Sequence, residues 1–205
     1  MNLKNITKLA LSNIGIRNPF NTMFKEIEFE TTAYCNRKCN YCPNVDHERF
    51  ADDDKFLMKE EVFKKLISQL KDMNFSGLIS PHLYGEPMSD FRMPLWIRHI
   101  KDNLPKSKVK IVTNGDFLDK KSYDEYIQSG VDVFYISKHS KKLKKPCRDL
   151  LENLREEEKK KHILLHDFYS DFNDTQEMLN NRGGSIELEK KKSHLLTAHT
   201  QLIQL

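Results

Sequence analysis

Three of the four cysteines of the chain lie within eight residues, in the segment "CNRKCNYC" at positions 35 to 42. Such crowded thiols in an intracellular protein bind metals or perform redox chemistry more often than they form disulfides. Three interpretations are open. Cys35, Cys39 and Cys42 could join His47 in a Cys3His zinc site. Cys39 and Cys42 could form a redox CxxC pair, or all three thiolates could hold an iron–sulfur cluster.

The number of cysteines favours the cluster interpretation. Iron–sulfur clusters are normally held by four thiolates, and this segment provides three. An iron without a protein ligand stays open to bind another molecule, so the missing fourth thiolate is itself informative.

The CxxxCxxC spacing, with Tyr41 directly before the last cysteine, resembles the signature of radical S-adenosylmethionine (radical SAM) enzymes. The resemblance implies a 4Fe-4S cluster held by Cys35, Cys39 and Cys42, with S-adenosyl-L-methionine chelating the fourth iron. It also implies an external electron donor such as flavodoxin or ferredoxin. The expected activity is reductive cleavage of the cofactor to a 5'-deoxyadenosyl radical, which abstracts hydrogen from a substrate. Side chains alone do not generate such a radical.

Two further short motifs match the same family. Gly85 and Glu86 in "YGEP" resemble the Gly-Glu element along the methionine end of the cofactor, which implies that Glu86 accepts hydrogen bonds from its ammonium group. Asn114 in "TNG" resembles the segment that lines the ribose. Both sequences are also common in ordinary turns.

Several other residues are weaker candidates for the same site. The resemblance implies that Tyr41 contacts the adenine region, with plain packing as the alternative. Ser137 and Lys138 stand where family members often place a polar group toward the cofactor, although His139 replaces a common Asp. His166 could reach the substrate or adenine, but a lone histidine in an apolar run is more often a hydrogen-bonded core residue. No side chain is assigned a catalytic role.

The elements that must position these residues alternate regularly along the chain. Strands are predicted at 25–32, 77–85, 108–113, 131–137 and 162–168, with a weak sixth at 185–188. Amphipathic periodicity predicts helices at 62–73 and 94–104, at "SYDEYIQS" before Gly130, and along Cys147, Leu150, Leu151 and Leu154. The charged runs "REEEKKK" and "EKKK" are interpreted as solvated helix faces or ends. Cys147 is therefore predicted to pack in the core.

Alternating strands and helices predict an α/β fold with a parallel sheet and right-handed crossovers. A full barrel needs eight units and about 250 residues, so five or six units predict a partial (β/α)6 TIM-like barrel. The cysteines, Gly-Glu, Asn-Gly, Ser137 and His166 then all lie at the carboxyl ends of strands, where barrel active sites form. A zinc or disulfide interpretation accounts for only the first of these motifs.

The 205 residues are predicted to form an N-terminal extension (1–24), a radical SAM core domain (25–188) and a polar C-terminal tail (189–205). "NNRGG" at 180–184 resembles the segment before the cysteine-rich SPASM extension of related maturases and dehydrogenases. Only 21 residues follow Gly184 and none is cysteine. We therefore expect a shortened or truncated member without auxiliary-cluster cysteines. A zinc-stabilised binding module and an inactive cluster-binding remnant remain alternatives.

The composition indicates which binding partners and which cellular location to expect. Lys and Arg outnumber Asp and Glu by only 34 to 30, and the two signs are interspersed, so nucleic acid is not indicated. No segment is apolar and long enough to cross a membrane, and the amino terminus lacks the pattern of a signal peptide. We expect a cytoplasmic protein whose substrate, peptide or sugar-like, the sequence does not identify.

Overall fold

The computed structural model describes residues 24–39, 42, 44 and 57–170. Within these residues, five strands form one sheet in the order of the chain, and every neighbouring pair is parallel. The strands are β1 Glu26–Glu28, β2 Leu78–Ser80, β3 Lys108–Thr113, β4 Val133–Ser137 and β5 Ile163–His166. The predicted α/β class with a parallel, partial TIM-like barrel is confirmed. The sixth predicted strand, at 185–188, lies outside the described residues.

Helices connect the strands. They are α1 Glu60–Asp72, α2 Met93–Asn103, α3 Lys120–Ser129, α4 Lys145–Asn153 and α5 Glu156–His162, with a short 3-10 helix at Pro87–Ser89. Asp119 and Ser122 form a capping box at the start of α3, and Gly130 ends that helix with a φ of 109°, a left-handed conformation that glycine adopts without strain. In α5 no residue is buried, as the charged run predicts.

The hydrophobic core lies between the helices and one face of the sheet. Phe63 of α1 stacks on Trp96 of α2 with ring centroids 4.1 Å apart, and alternate residues of β3 and β4, such as Ile111 and Phe134, are fully buried beneath the helices. Cys147 of α4 is 0% exposed in this core. Its predicted packing role is confirmed.

The opposite, concave face of the sheet carries polar side chains beside apolar ones such as Val112 and Leu164. Side chains alternate along a strand, so the residues between the core positions point to this face. Lys110 of β3 forms an ion pair with Glu26 of β1 at 2.5 Å, and the Tyr135 hydroxyl lies 2.8 Å from Nδ1 of His166. The concave face therefore offers charged and hydrogen-bonding groups to whatever fills it.

The first two strands are shorter than predicted. The predicted strand at 77–85 ends at Ser80, directly before Pro81, because proline has no N–H to continue the ladder. The predicted strand at 25–32 ends at Glu28, and Thr31 and Thr32 instead bond with Met58 and Leu57. Both shortenings give longer loops at the carboxyl ends of β1 and β2.

Among the helices between residues 57 and 170, none is long and apolar enough to cross a membrane.

Candidate functional site

The cysteine segment follows β1 at the end of the sheet where all five strands terminate, which we call the carboxyl edge. Cys35, Cys39 and Cys42 are thiols rather than disulfides, and each is partly buried. The Arg37 amide donates to Sγ of Cys35 at 3.4 Å, and the Cys42 amide donates to the Cys39 carbonyl at 2.9 Å. Amide donors to ligand sulfur are typical of iron–sulfur sites.

The environment of Cys35 opposes ionisation of an unligated thiol. Burial raises the pKa of Cys35 to about 11, against the lowering effect of the Arg37 amide, and the negative charge of Glu86 adds to the increase. A metal cation reverses this balance, because a coordinating thiol is deprotonated outright. The free Cys35 thiol is therefore protonated at neutral pH and would have to lose its proton to bind a metal.

Within the residues that the structure describes, no group of three His, Cys, Asp or Glu side chains is arranged to hold one metal ion. His47, the predicted fourth zinc ligand, and Tyr41, the predicted adenine contact, lie outside the described residues.

Gly85 allows the loop after β2 to approach the loop after β1. A Cβ atom at this position would lie 1.9 Å from the Thr32 carbonyl oxygen and 3.0 Å from that of Tyr34. The Gly85 amide donates to Oε1 of Glu30 at 2.8 Å, and the amide of Tyr84 donates to the same oxygen at 2.9 Å. Only glycine fits here, so the Gly-Glu motif has a packing requirement of its own.

Glu86 is turned into the fold and is 3% exposed. Its carboxylate accepts from the Thr113 hydroxyl at 2.7 Å, the Asn114 amide at 2.8 Å and the Met88 amide at 3.1 Å. Burial raises the pKa of Glu86 to about 7, although these three hydrogen bonds act in the opposite direction. The side chain therefore joins the loops after β2 and β3.

Asn114 lies at the end of β3 and bonds to the cysteine segment. Its Nδ2 donates to Oδ1 of Asn36 at 2.8 Å, and its Oδ1 accepts from the Asp116 amide at 2.9 Å. The side chain of Asp116 accepts from Asn36 at 2.8 Å and from Arg37 through two guanidinium nitrogens, at 2.5 and 2.8 Å. The structure thus brings Asn114 together with the cysteine loop.

The candidates on β4 and β5 lie at the same edge. Ser137 is 8% exposed at the end of β4 and is paired in register with His166 of β5. Lys138 forms an ion pair with Asp167. The ring of His139 packs against Phe168, with centroids 5.3 Å apart. His166 is hydrogen-bonded to a tyrosine, as the core interpretation of a lone histidine predicts, but on the concave face.

Two buried hydroxyls near the carboxyl ends of β1 and β2 are unpaired among the described residues. Oγ1 of Thr31 and Oγ of Ser80 have no hydrogen-bond partner within the described part of the chain, although buried polar groups are normally paired.

Sequence reasoning missed Asp116 and Glu30, which hold the loops of the site together. Asp116 had a detectable signal, because it follows β3 by three residues and stands two residues after Asn114. Glu30 carried no comparable signal, since its partner Gly85 is remote in sequence. Thr113 belongs to the predicted "TNG" segment, but its hydrogen bond to Glu86 was not predicted.

Comparisons with known proteins show which family the chain resembles. The sequence model of the Radical SAM superfamily matches residues 29–149. A Niallia circulans protein, S-adenosyl-L-methionine-dependent 2-deoxy-scyllo-inosamine dehydrogenase, is 32% identical over 165 residues, which are 80% of this chain and 62% of that protein.

Solved structures of BtrN are similar to this chain. BtrN in complex with AdoMet and 2-DOIA matches with a TM-score of 0.69 at 30% identity, over 82% of this chain and 63% of that one. An open conformation of BtrN matches with a TM-score of 0.56 at 28% identity, over 72% and 58%. This chain thus spans about three fifths of the length of the relatives that it matches.

Proposed function

The chain belongs to the radical SAM superfamily, and on that premise we propose that Cys35, Cys39 and Cys42 bind a 4Fe-4S cluster and that the carboxyl edge binds S-adenosyl-L-methionine. When bound, these groups supply a 5'-deoxyadenosyl radical that abstracts hydrogen from a substrate. One observation carries the proposal. The thiols, Gly85 and Asn114 follow three adjacent parallel strands, and hydrogen bonds hold their loops together.

The residues of the chain have distinct parts in this proposal. The thiolates bind the cluster, and Gly85 lets the loops after β1 and β2 lie close enough to face the cofactor together. Asn114 and Ser137 contact the cofactor, as does Tyr41 at the adenine. Glu86 already accepts three protein hydrogen bonds. A carboxylate has about four lone-pair sites, so Glu86 retains one for the ammonium group.

We propose that the reaction is dehydrogenation of a hydroxylated, amino-substituted carbon ring rather than modification of a peptide. The similarity to a 2-deoxy-scyllo-inosamine dehydrogenase over 80% of the chain supports this class of substrate. The polar groups of the concave face support it too. Lys110, Tyr135 and His166 provide hydrogen-bonding groups there, and Glu28 provides a carboxyl whose pKa is raised by burial and by the neighbouring Glu26.

The proposed setting is the cytoplasm, where an external donor such as flavodoxin or ferredoxin would supply the electron that reduces the cluster. In a dehydrogenation the substrate radical then loses one electron and one proton to form the carbonyl product, so the overall reaction would return an electron and consume none from the donor.

Anaerobic reconstitution with iron and sulfide tests the proposal. The protein should hold about four irons per chain and show broad charge-transfer absorption in the visible region. It should form 5'-deoxyadenosine when it is reduced in the presence of S-adenosyl-L-methionine. With ring-deuterated 2-deoxy-scyllo-inosamine, deuterium should appear in the 5'-deoxyadenosine.

The four cysteines provide a matched control. Cys42→Ala should abolish the absorption and the bound iron, whereas Cys147→Ala should keep both, because Cys147 is buried in the core. Zinc without iron would replace the proposal with a zinc-stabilised module. Iron without 5'-deoxyadenosine would indicate a cluster-binding remnant. Formation of 5'-deoxyadenosine without deuterium transfer would overturn only the substrate class.

A further inference from the structure

We propose that the ion pair between Arg37 and Asp116 is a clamp that positions the cysteine loop for cluster and cofactor binding. The Arg37–Asp116 clamp rests on the function proposed above and assigns a role to two residues that are neither cluster ligands nor cofactor contacts in that proposal. Arg37 lies between Cys35 and Cys39, and Asp116 follows Asn114 in the loop after β3. The two residues are 79 positions apart.

The geometry of the clamp is bidentate. Nε of Arg37 donates to Oδ2 of Asp116 at 2.8 Å, and Nη2 donates to Oδ1 at 2.5 Å. Two parallel hydrogen bonds between a planar guanidinium and a carboxylate fix orientation as well as distance. The same Arg37 donates its backbone amide to Sγ of Cys35. The clamp therefore constrains the residue that contacts the first cluster ligand.

Burial makes the clamp specific. The side chain of Asp116 is 2% exposed and that of Arg37 is 15% exposed. A carboxylate buried to this extent without a partner is strongly unfavourable, so alternative positions of the cysteine loop that release Asp116 are penalised. The loop has one favoured position relative to the end of β3.

Further bonds extend the clamp to three loops. Asn36 donates to Asp116 at 2.8 Å and accepts from Asn114 at 2.8 Å. Nζ of Lys144, directly before α4, lies 3.2 Å from Oδ2 of Asp116. The residues that bind the cluster, the proposed ribose contact and the loop after β4 are thus connected through one carboxylate. Any displacement of Asp116 would alter the cluster ligands and the cofactor contact together.

A purely structural ion pair would have a different signature. Its loss would lower the free energy of unfolding and leave cluster and cofactor binding unchanged in the folded protein. The ion pair between Lys101 and Asp132 provides a matched case, because it joins the same charge types at 2.8 Å at the opposite edge of the sheet. Lys101→Gln therefore serves as the control.

The test uses the reconstituted full-length chain with Arg37→Gln, Arg37→Lys and Asp116→Asn. Iron per chain, and the change in the electron paramagnetic resonance signal of the reduced cluster on titration with S-adenosyl-L-methionine, are measured beside urea unfolding. Arg37→Gln and Asp116→Asn should weaken cofactor binding by about tenfold or more, since small misplacements of a site carry such penalties. Arg37→Lys should recover part of the loss, because it keeps the charge but not the bidentate geometry.

The outcomes separate this proposal from the function on which it rests. If the unmodified chain binds no iron, the proposed function fails first. If the unmodified chain binds iron and cofactor, and Arg37→Gln and Asp116→Asn behave like Lys101→Gln in every readout, the clamp is overturned. If Arg37→Gln fails to fold, the affinity of Arg37→Lys for S-adenosyl-L-methionine decides whether the clamp exists. Weakened cofactor binding by folded Arg37→Lys supports the clamp, with or without a loss of stability, and normal binding contradicts it.

Discussion

The two edges of the sheet use the same kinds of polar group in different ways. At the amino edge, where the strands begin, Nζ of Lys101 donates to Oδ2 of Asp132 at 2.8 Å and to the Ser107 carbonyl at 3.0 Å. Oδ2 of Asp132 also accepts from the Val109 amide at 2.7 Å. These bonds tie the end of α2 to the starts of β3 and β4. The side chains are 26% and 35% exposed.

At the carboxyl edge, the Arg37–Asp116 pair joins residues that are farther apart in the sequence and more deeply buried than Lys101 and Asp132. Arg37 and Asp116 are 79 residues apart, whereas Lys101 and Asp132 are 31 apart. The Arg37–Asp116 clamp also joins the loops after β1 and β3, which are separated in the sheet by β2.

The difference follows from what each edge must do. At the amino edge the Lys101–Asp132 pair holds together elements that are near one another in the chain, and partly exposed ion pairs contribute little to stability. The carboxyl edge must assemble one site from several loops, so its polar groups are buried and mutually dependent. Substitutions there should therefore affect stability and ligand binding together, and those at the amino edge should affect stability alone.

The largest expected effect is that of Gly85→Ala. The new Cβ would lie 1.9 Å from the Thr32 carbonyl oxygen, so two backbone segments would have to separate. We expect the free energy of unfolding to fall by about 3 kcal/mol or more, together with loss of iron binding. Urea unfolding and iron content after reconstitution measure the two effects.

Gly130→Ala is the control at the amino edge. Its Cβ would meet Cγ of Lys101 at 2.6 Å, so the Lys101 side chain, which bonds to Asp132 and to the Ser107 carbonyl, would have to shift. The remaining cost is the left-handed conformation at a φ of 109°, about 1–2 kcal/mol. Iron binding should persist. Equal losses of stability and iron for both substitutions would remove the distinction between the edges.

The sequence predicted the elements better than the connections between them. β3 occupies the predicted residues 108–113, and α1 and α2 follow their predicted periodicity, because a strand run or an amphipathic stripe is a local pattern. Gly130 ends α3 as predicted. The site residues were likewise placed at one edge by the rule that parallel strands share their carboxyl ends.

The sequence did not predict the hydrogen-bond partners of the polar side chains. The motif predicted a cofactor contact for Glu86, but not the hydrogen bonds that its carboxylate accepts from Thr113, Met88 and Asn114. The bond between the Arg37 guanidinium and Asp116 was not predicted either. The partner of a polar side chain depends on which buried groups lack a hydrogen bond, and these groups are defined only once the loops are packed together.

The second-largest expected effect is a pH dependence of the unfolding free energy that arises from the titration of Glu86. Its pKa is raised by burial to about 7 in the folded protein, so the folded state favours the protonated form. The stabilisation that results is complete below pH 4.5, the ordinary value, and is lost as the pH rises through about 7. The difference in unfolding free energy between the unmodified chain and Glu86→Gln should shrink by up to about 1.4 kcal/mol per pH unit in this interval.

Asp116→Asn should show no such trend between pH 5 and 8. Burial acts to raise the pKa of Asp116, but the hydrogen bonds and charge of Arg37 outweigh it and hold the pKa below its ordinary value. Its stabilisation is lost only as the pH falls below about 4. Parallel pH profiles for Glu86→Gln and Asp116→Asn would contradict this assignment.

The smallest expected effect is that of Asp132→Asn at the amino edge. The amide oxygen can still accept from Val109, so only the ion pair with Lys101 is removed, and both side chains are partly exposed. Exposed pairs contribute up to about 1 kcal/mol, and we expect urea unfolding to show a loss no larger than that. Iron content and affinity for S-adenosyl-L-methionine should equal those of the unmodified chain, because no bond of Asp132 reaches the carboxyl edge in the part of the chain described. A weakened affinity at unchanged stability would mean that the amino edge also supports the site, and the division of labour between the two edges would then be wrong.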